Sequence, residues 1–192
     1  MQIIKVISTV DFEKTKRKAK NLKRATGISH SEALEQVARE AGFENWHQVT
    51  LANNRMKPSE AAFRSGCVLV FDTRDGMDLD TSDGTFILDL LLPHICRDTV
   101  YELVVTSPDE EDPTDRPIKE TLPPSELEQW FEDVMEDSMF FRLREDLADR
   151  DESTVMSMLQ ERSFWLPRYM WFRGHEVDPH ELSSRAGGDQ ST

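Results

Sequence analysis

The sequence predicts an α+β protein: an N-terminal three-helix module with helix-turn-helix-like spacing, then a small, mostly antiparallel sheet followed by helices. Three observations lead there. Residues 11 to 55 repeat apolar positions at helical spacing between recognisable caps. From Gly66 the apolar runs become short, β-branched and aromatic, with Asp-Gly pairs between them. Beyond Pro124 helical periodicity returns. The reading divides the chain into a basic helical module over residues 1–64, an acidic α+β domain over 65–174 and a disordered tail over 175–192.

The first helix is expected from near Asp11, because Phe12, Ala19 and Leu22 share one face while Lys and Arg cover the rest, and Gly27 is its C-cap. The second follows Ser29, whose spacing to Glu32 is that of a capping box, with Ala33, Leu34, Val37, Ala38 and Ala41 as its apolar positions and Gly42 as its stop. A short third helix is expected from Asn45, an acceptable N-cap. Its shared core with the others is Leu22, Leu34, Val37, Phe43, Trp46 and Val49. Pro58 then marks a connection or a weaker fourth helix.

In the body, "CVLVFDT" (67–73), "TFILDLLL" (85–92) and "TVYELVVT" (99–106) read as strands, with turns at Asp75-Gly76 and Asp83-Gly84. The acidic, proline-rich stretch 107–124 reads as an exposed loop. Ser125 and Glu128 repeat the capping-box spacing ahead of an apolar stripe of Leu127, Trp130, Phe131 and Val134. Further helices are expected over 140–150 and 152–166, limited by Pro167, and "RYMWFRG" (168–174) reads as a strand or an aromatic patch.

Composition narrows the function class. With 38% hydrophobic and 31% charged residues, but four Trp and ten Phe, the chain is a folded protein with polar loops. The opening apolar run is broken by Lys5 and followed by acids, unlike a secretory leader, and no apolar stretch approaches the ~20 residues of a bilayer span. Cys67 and Cys96 lie far apart and outside any C-x-x-C pair, so neither a disulfide framework nor a zinc knuckle is expected. These features predict a cytoplasmic protein without a membrane partner.

Charge is the most informative asymmetry. Residues 1–64 carry 12 Lys/Arg against 7 Asp/Glu, whereas the remainder carries 11 against 30, within a formal net charge of −14. A cationic head on an anionic body suits an anionic partner for the head. Lys14, Lys16, Arg17, Lys18, Lys20, Lys23 and Arg24 are phosphate-seeking, and Asn45, His47 and Gln48 are types that pair with base edges. Ala38 and Gly42 have the A-x-x-x-G spacing of a tight helix-helix turn. Gln48 departs from that pattern, which places an apolar residue there. The same residues also describe a packing module with a solvated basic face.

The run "LKRATGISHSEALEQVAREAGFENWHQV", with Gly27-Ile28-Ser29-His30-Ser31-Glu32-Ala33-Leu34, Ala38, Gly42-Phe43 and Asn45-Trp46, resembles a short helical module at the front of glyoxalase-superfamily-like proteins. The same module occurs in uncharacterised proteins of bacterial plasmids and mobile elements. The resemblance covers about residues 11–55, implies a bacterial mobile-element setting and brings no activity to particular residues. Glyoxalase chemistry needs His and Glu metal ligands on strands, and the five His here are scattered.

Other patterns fall short of a site. Asp78, Asp80, Ser82 and Asp89 approach a calcium loop, but Asp83 stands where the sharp turn demands Gly, so an acidic hairpin is the better reading. In "HEVDPH", His175 and His180 are five apart with Pro179 between them, which forbids the shared helical face of a zinc protease. The expectation is a non-enzymatic binding or regulatory protein without a cofactor, its head on nucleic acid and its body on a protein partner. The alternative is an acidic nucleic-acid mimic that occupies a nucleic-acid-binding protein, and the third reading is a metal-dependent enzyme.

Overall fold

A computed structural model describes residues 5–187. The chain forms two compact units, Met1–Glu60 and Ala61–Thr192, with the division inside the third helix.

In the first unit α1 spans Thr9–Thr26, and the Ser8 side chain accepts from Asp11 N, so the helix starts slightly before the expected position. Gly27 has φ 75°, and its N–H donates to the Lys23 carbonyl at 2.9 Å. A left-handed residue there closes the helix at little steric cost because Gly has no Cβ. α2 spans His30–Glu40 behind the expected capping box: Ser29 Oγ accepts from Glu32 N at 3.1 Å, and the Glu32 carboxylate accepts from Ser29 N at 2.9 Å.

α3 differs from expectation. It runs unbroken over Trp46–Ser65, through Pro58, instead of ending short of it. Pro58 withholds the N–H that the Asn54 carbonyl would receive, but both residues are exposed, so water can satisfy that carbonyl. The core of the unit has two clusters. Ala38, Phe43, Val49 and Ala52 are packed with the half-buried Phe12 and Trp46; Ala19, Ala33 and Val37 are packed with Leu22 and Leu34. Of the six residues expected at this core, Val37, Phe43 and Val49 are buried and Leu22, Leu34 and Trp46 half-buried.

The second unit is built on a five-stranded antiparallel sheet, ordered β2-β3-β1-β4-β5. Its strands are β1 (Cys67–Asp72), β2 (Phe86–Leu88), β3 (Ser138–Leu143), β4 (Tyr169–Phe172) and β5 (His175–Val177). Between them lie α4 (Thr73–Gly76), α5 (Leu92–Thr106), α6 (Ile118–Thr121), α7 (Pro124–Glu136) and α8 (Glu152–Gln160), and α9 (Pro179–Gly187) closes the unit. Both faces of the sheet are covered, so central β1 is an unbroken apolar run from Cys67 to Phe71. Val68, Val70, Phe140 and Trp171 meet Cys96, Val100 and Val104 of α5 and Phe131 of α7. On the opposite face Leu69, Phe71 and Phe141 meet Val155, Met156 and Leu159 of α8 and Leu182 of α9.

Several expected elements are corrected. "TVYELVVT" is the second half of helix α5, not a strand: Cys96, Val100 and Val104 recur every fourth residue and bury that face, which overrides β-branched propensity. Of "TFILDLLL" only Phe86–Leu88 is strand. Residues 140–143 belong to β3 rather than to a helix, since adjacent Phe140 and Phe141 enter opposite faces of the sheet as strand alternation requires. Asp75-Gly76 lies in α4, whereas Gly84, at φ 70°, does turn the chain. α7 has no Ser125 capping box; it follows Pro123, with no side-chain cap. α8 ends at Gln160, well before Pro167.

The expected tail also carries structure. β5 pairs with β4, Met170 opposite Val177, and α9 buries Leu182. The part of that expectation falling on residues 188–192 lies outside the described residues.

Candidate nucleic-acid interface

The cationic run predicted from sequence is dealt around the circumference of α1, and its members differ in how much charge they leave free. Lys14 Nζ lies 2.9 Å from Asp11, Lys16 Nζ 2.8 Å from Glu13 and Lys18 Nζ 2.7 Å from Glu40 of α2. Lys16 also stands 5.3 Å over the Phe12 ring. The lysine hydrogen bonds hold the carboxyls of Asp11, Glu13 and Glu40 below their ordinary values. Arg17 Nε donates to the Glu13 carbonyl at 3.4 Å. Surface pairs of this kind stabilise little, but each partly offsets the field of its cation.

Towards the end of α1 the ion pairs stop. Among the described residues Lys20, Lys23 and Arg24 form no ion pair, although Lys20 lies within the field of Glu13, and together with His30 they line an open depression of about 280 Å³. Lys23 and Arg24 fall in the last turn, where cations also suit the helix dipole. His30 opens α2 immediately after its Ser29 cap. Sequence reasoning did not single out His30; its place directly after the capping-box serine was the available signal.

The three residues proposed from sequence as base readers sit at the start of α3. Asn45 Oδ1 accepts from Gln48 N at 2.9 Å. Gln48 Oε1 accepts from Glu44 N at 3.1 Å, and Gln48 Nε2 donates to the Glu44 carboxylate at 2.8 Å. These bonds satisfy orphan groups at the helix N-terminus, so both amides are engaged within the chain. His47 is exposed and has no hydrogen-bond partner among the described residues. The structure gathers Lys20, Lys23 and Arg24 around one depression, while Asn45, His47 and Gln48 belong to a separate turn.

Buried Asn53 and half-buried Glu60 hold the start of α1, and periodicity could not reveal them. Asn53, 2% exposed, donates to the Ile7 carbonyl at 3.4 Å and to Thr9 Oγ1 at 3.3 Å. The Glu60 carboxylate accepts from Thr9 N at 2.7 Å and also from the Thr9 hydroxyl.

The remaining chemical candidates are absorbed by structure. Asp83 binds Arg162 at 2.7 Å and accepts from Thr85 N at 2.8 Å; Asp80 accepts from Ser82 N; Asp89 pairs with Arg142 at 3.0 Å. Arg162 beside it holds the Asp83 carboxyl well below the usual carboxylate range. His175 lies in β5 and His180 in α9. No group of three or more His, Cys, Asp or Glu among the described residues is placed to hold a metal ion. Burial raises the Cys67 thiol strongly and pushes Cys96 up to about 12, which leaves both as poor nucleophiles. No helix among the described residues is long and apolar enough to cross a membrane.

Comparison with known proteins reaches the first helices only. A family described as glyoxalase superfamily protein matches residues 6–68, a segment that covers α1 to α3 and ends at the first residues of β1. The match agrees with the resemblance seen in the sequence. No curated protein and no solved structure matches the chain.

Proposed function

We propose that the protein is a non-enzymatic binding protein whose first unit contacts nucleic acid through the end of α1 and whose acidic second unit contacts a protein partner. The observation that carries the reading is the trio Lys20, Lys23 and Arg24, without an ion pair among the described residues, around an open depression on a chain of net charge −14. Cations already paired to Asp11, Glu13 and Glu40 would have to exchange partners to reach phosphate; the trio would not. Contacts of this type read the backbone and not the sequence, because they end on phosphate oxygens. With Asn45 and Gln48 engaged in capping, the reading needs no base-specific contact from them. A bacterial mobile-element setting, which the resemblance of the module implies, belongs to the same proposal.

The test is anisotropy of a labelled DNA duplex titrated with the full chain across a salt series. Binding should weaken with salt by a logarithmic slope of about −0.9 per phosphate neutralised. Replacing Lys20, Lys23 and Arg24 together with Gln should lower both affinity and slope, and replacing Lys14, Lys16 and Lys18 should do so less. Absence of binding to duplex or single strands at low salt would remove the reading.

A further inference from the structure

We propose that the second unit holds a docking groove for an extended peptide segment that alternates cationic and aliphatic side chains. This rests on the protein-partner half of the function proposed above and supplies the chemistry of that partner. The groove is an open trough of about 620 Å³, within the range of about 300–1,000 Å³ that binding clefts occupy. Its floor is apolar and aromatic, from Ile118 of α6, Leu122, Trp130 of α7 and Tyr169 of β4. A second depression, of about 320 Å³, shares Ser107, Arg168 and Tyr169 with the first, so the two join end to end.

The rim gives the sign of the partner. Asp109, Glu110 and Glu111 line the first depression, and Glu176 and Asp178 the second. Arg168, the cation common to both, lies 3.4 Å from Asp72, which offsets its charge. The acidic rim is held in place, contrary to what a proline-rich loop suggests. Pro108 and Pro117 form an isolated antiparallel bridge, Asp109 N donates to the Arg116 carbonyl at 2.9 Å, and Ile118 N donates to the Ser107 carbonyl at 3.0 Å. At the tip, Asp112 receives Thr114 N at 3.0 Å and Arg116 Nε at 2.6 Å. A braced hairpin thus presents Glu110 and Glu111, which have no cationic partner among the described residues.

An apolar floor under an anionic rim selects a ligand that carries both aliphatic and cationic groups, because burying either surface against the wrong chemistry costs desolvation. Trp130 and Tyr169 both line the trough, and neither the indole N–H nor the phenol hydroxyl has a hydrogen-bond acceptor among the described residues. Two free donors along an apolar floor suit the carbonyls of an extended backbone. A phosphate-bearing ligand is disfavoured by the same five carboxylates.

The test uses the full chain and a fluorescein-labelled peptide of alternating Arg and Leu, with a second peptide that carries Ser in place of Leu. The Arg/Leu peptide should bind, and the joint variant Glu110→Lys and Glu111→Lys should weaken it about tenfold or more, because the reversal sets like charges against each other. The Ser peptide should also bind about tenfold more weakly, since anchors on an apolar floor dominate such contacts. Glu145→Lys with Asp149→Lys, exposed positions that do not line the trough, should leave binding as it was. Equal losses from both pairs of reversals, or equal binding of the Ser peptide, would show diffuse charge attraction and overturn the groove while the partner half of the functional reading stands. No binding of the Arg/Leu peptide at low salt would overturn both, and the DNA titration would still report separately on α1.

Discussion

Phe12 of α1 and Trp46 of α3 stack with ring centroids 5.3 Å apart and planes inclined by 23°. The pair joins the start of the first helix to the start of the third, and Glu35 of α2 receives Trp46 N at 3.2 Å. One aromatic therefore touches all three helices of the first unit.

Trp46→Ala should destabilise that unit by about 3 kcal/mol, at the low end for large aromatic truncations because the ring is only half-buried. Thermal unfolding followed by circular dichroism measures it. A variant that melts like the parent would show that the stack does not hold the helices together.

The bonds at the start of α3 separate structure from recognition. Gln48→Ala should cost about 0.5–1 kcal/mol of stability through the lost cap, and His47→Ala almost none. Neither should change the affinity for duplex DNA as much as the Lys20, Lys23 and Arg24 replacement. A loss of affinity at His47 larger than that of the trio would return base reading to α3.

The capping box of α2 has a pH signature. The Ser29 backbone N–H holds the Glu32 carboxyl below its ordinary value. A group whose folded value is depressed contributes stability above its unfolded value, and that contribution is lost as pH falls through the folded one. Ser29→Ala should cost about 1 kcal/mol at neutral pH, and Glu32→Gln should flatten the dependence of stability on pH in the acid range. A Glu32→Gln curve that keeps the parent's acid slope would dismiss the link.

Asp83 predicts a steeper acid limb in the second unit. Its carboxyl is depressed chiefly by Arg162, then by Thr85, so the bridge it makes is fully present above the unfolded value and fails only at strongly acid pH. Asp83→Asn should lower the midpoint of urea unfolding near neutrality and have less effect as pH approaches the strongly acid end. The same loss at every pH would assign the effect to packing rather than charge.

Both thiols should be silent in the native state. Cys67 and Cys96 are buried and raised, so an aromatic disulfide reagent should react with neither until denaturant unfolds the chain, when both should react. Fast reaction of one thiol in native buffer would contradict the burial described.

The first unit was legible where local chemistry decides local structure. Gly27, the Ser29/Glu32 box and the Ala33, Val37, Ala38 stripe each act within a turn or two, and each stands where expected. In the second unit the deciding contacts are distant. Val100 and Val104 look like strand residues until β1 supplies a face for them to cover, and Phe140 with Phe141 looks helical until two covered faces give each ring its own side. For the candidate interface, residue type marked the cations correctly as cations. Their ion pairs with Glu13, Glu40 and Asp11 depend on rotamers and on a neighbouring helix, so the difference between Lys18 and Lys20 could not be read from spacing.

The position of β1 bears on how the chain is made. It is the central strand and the first to leave the ribosome, yet its two hydrogen-bonding neighbours, β3 and β4, are synthesised only after α5, the acidic hairpin and α7. Until then "CVLVF", apolar, uncharged and free of proline, has both edges open, the profile of a segment that adds to another copy of itself. Pairing of this kind, between residues far apart in sequence, is also slow. The nascent chain therefore passes through an interval in which the open edges of β1 are exposed to other chains, and that interval lengthens with every residue between β1 and β3.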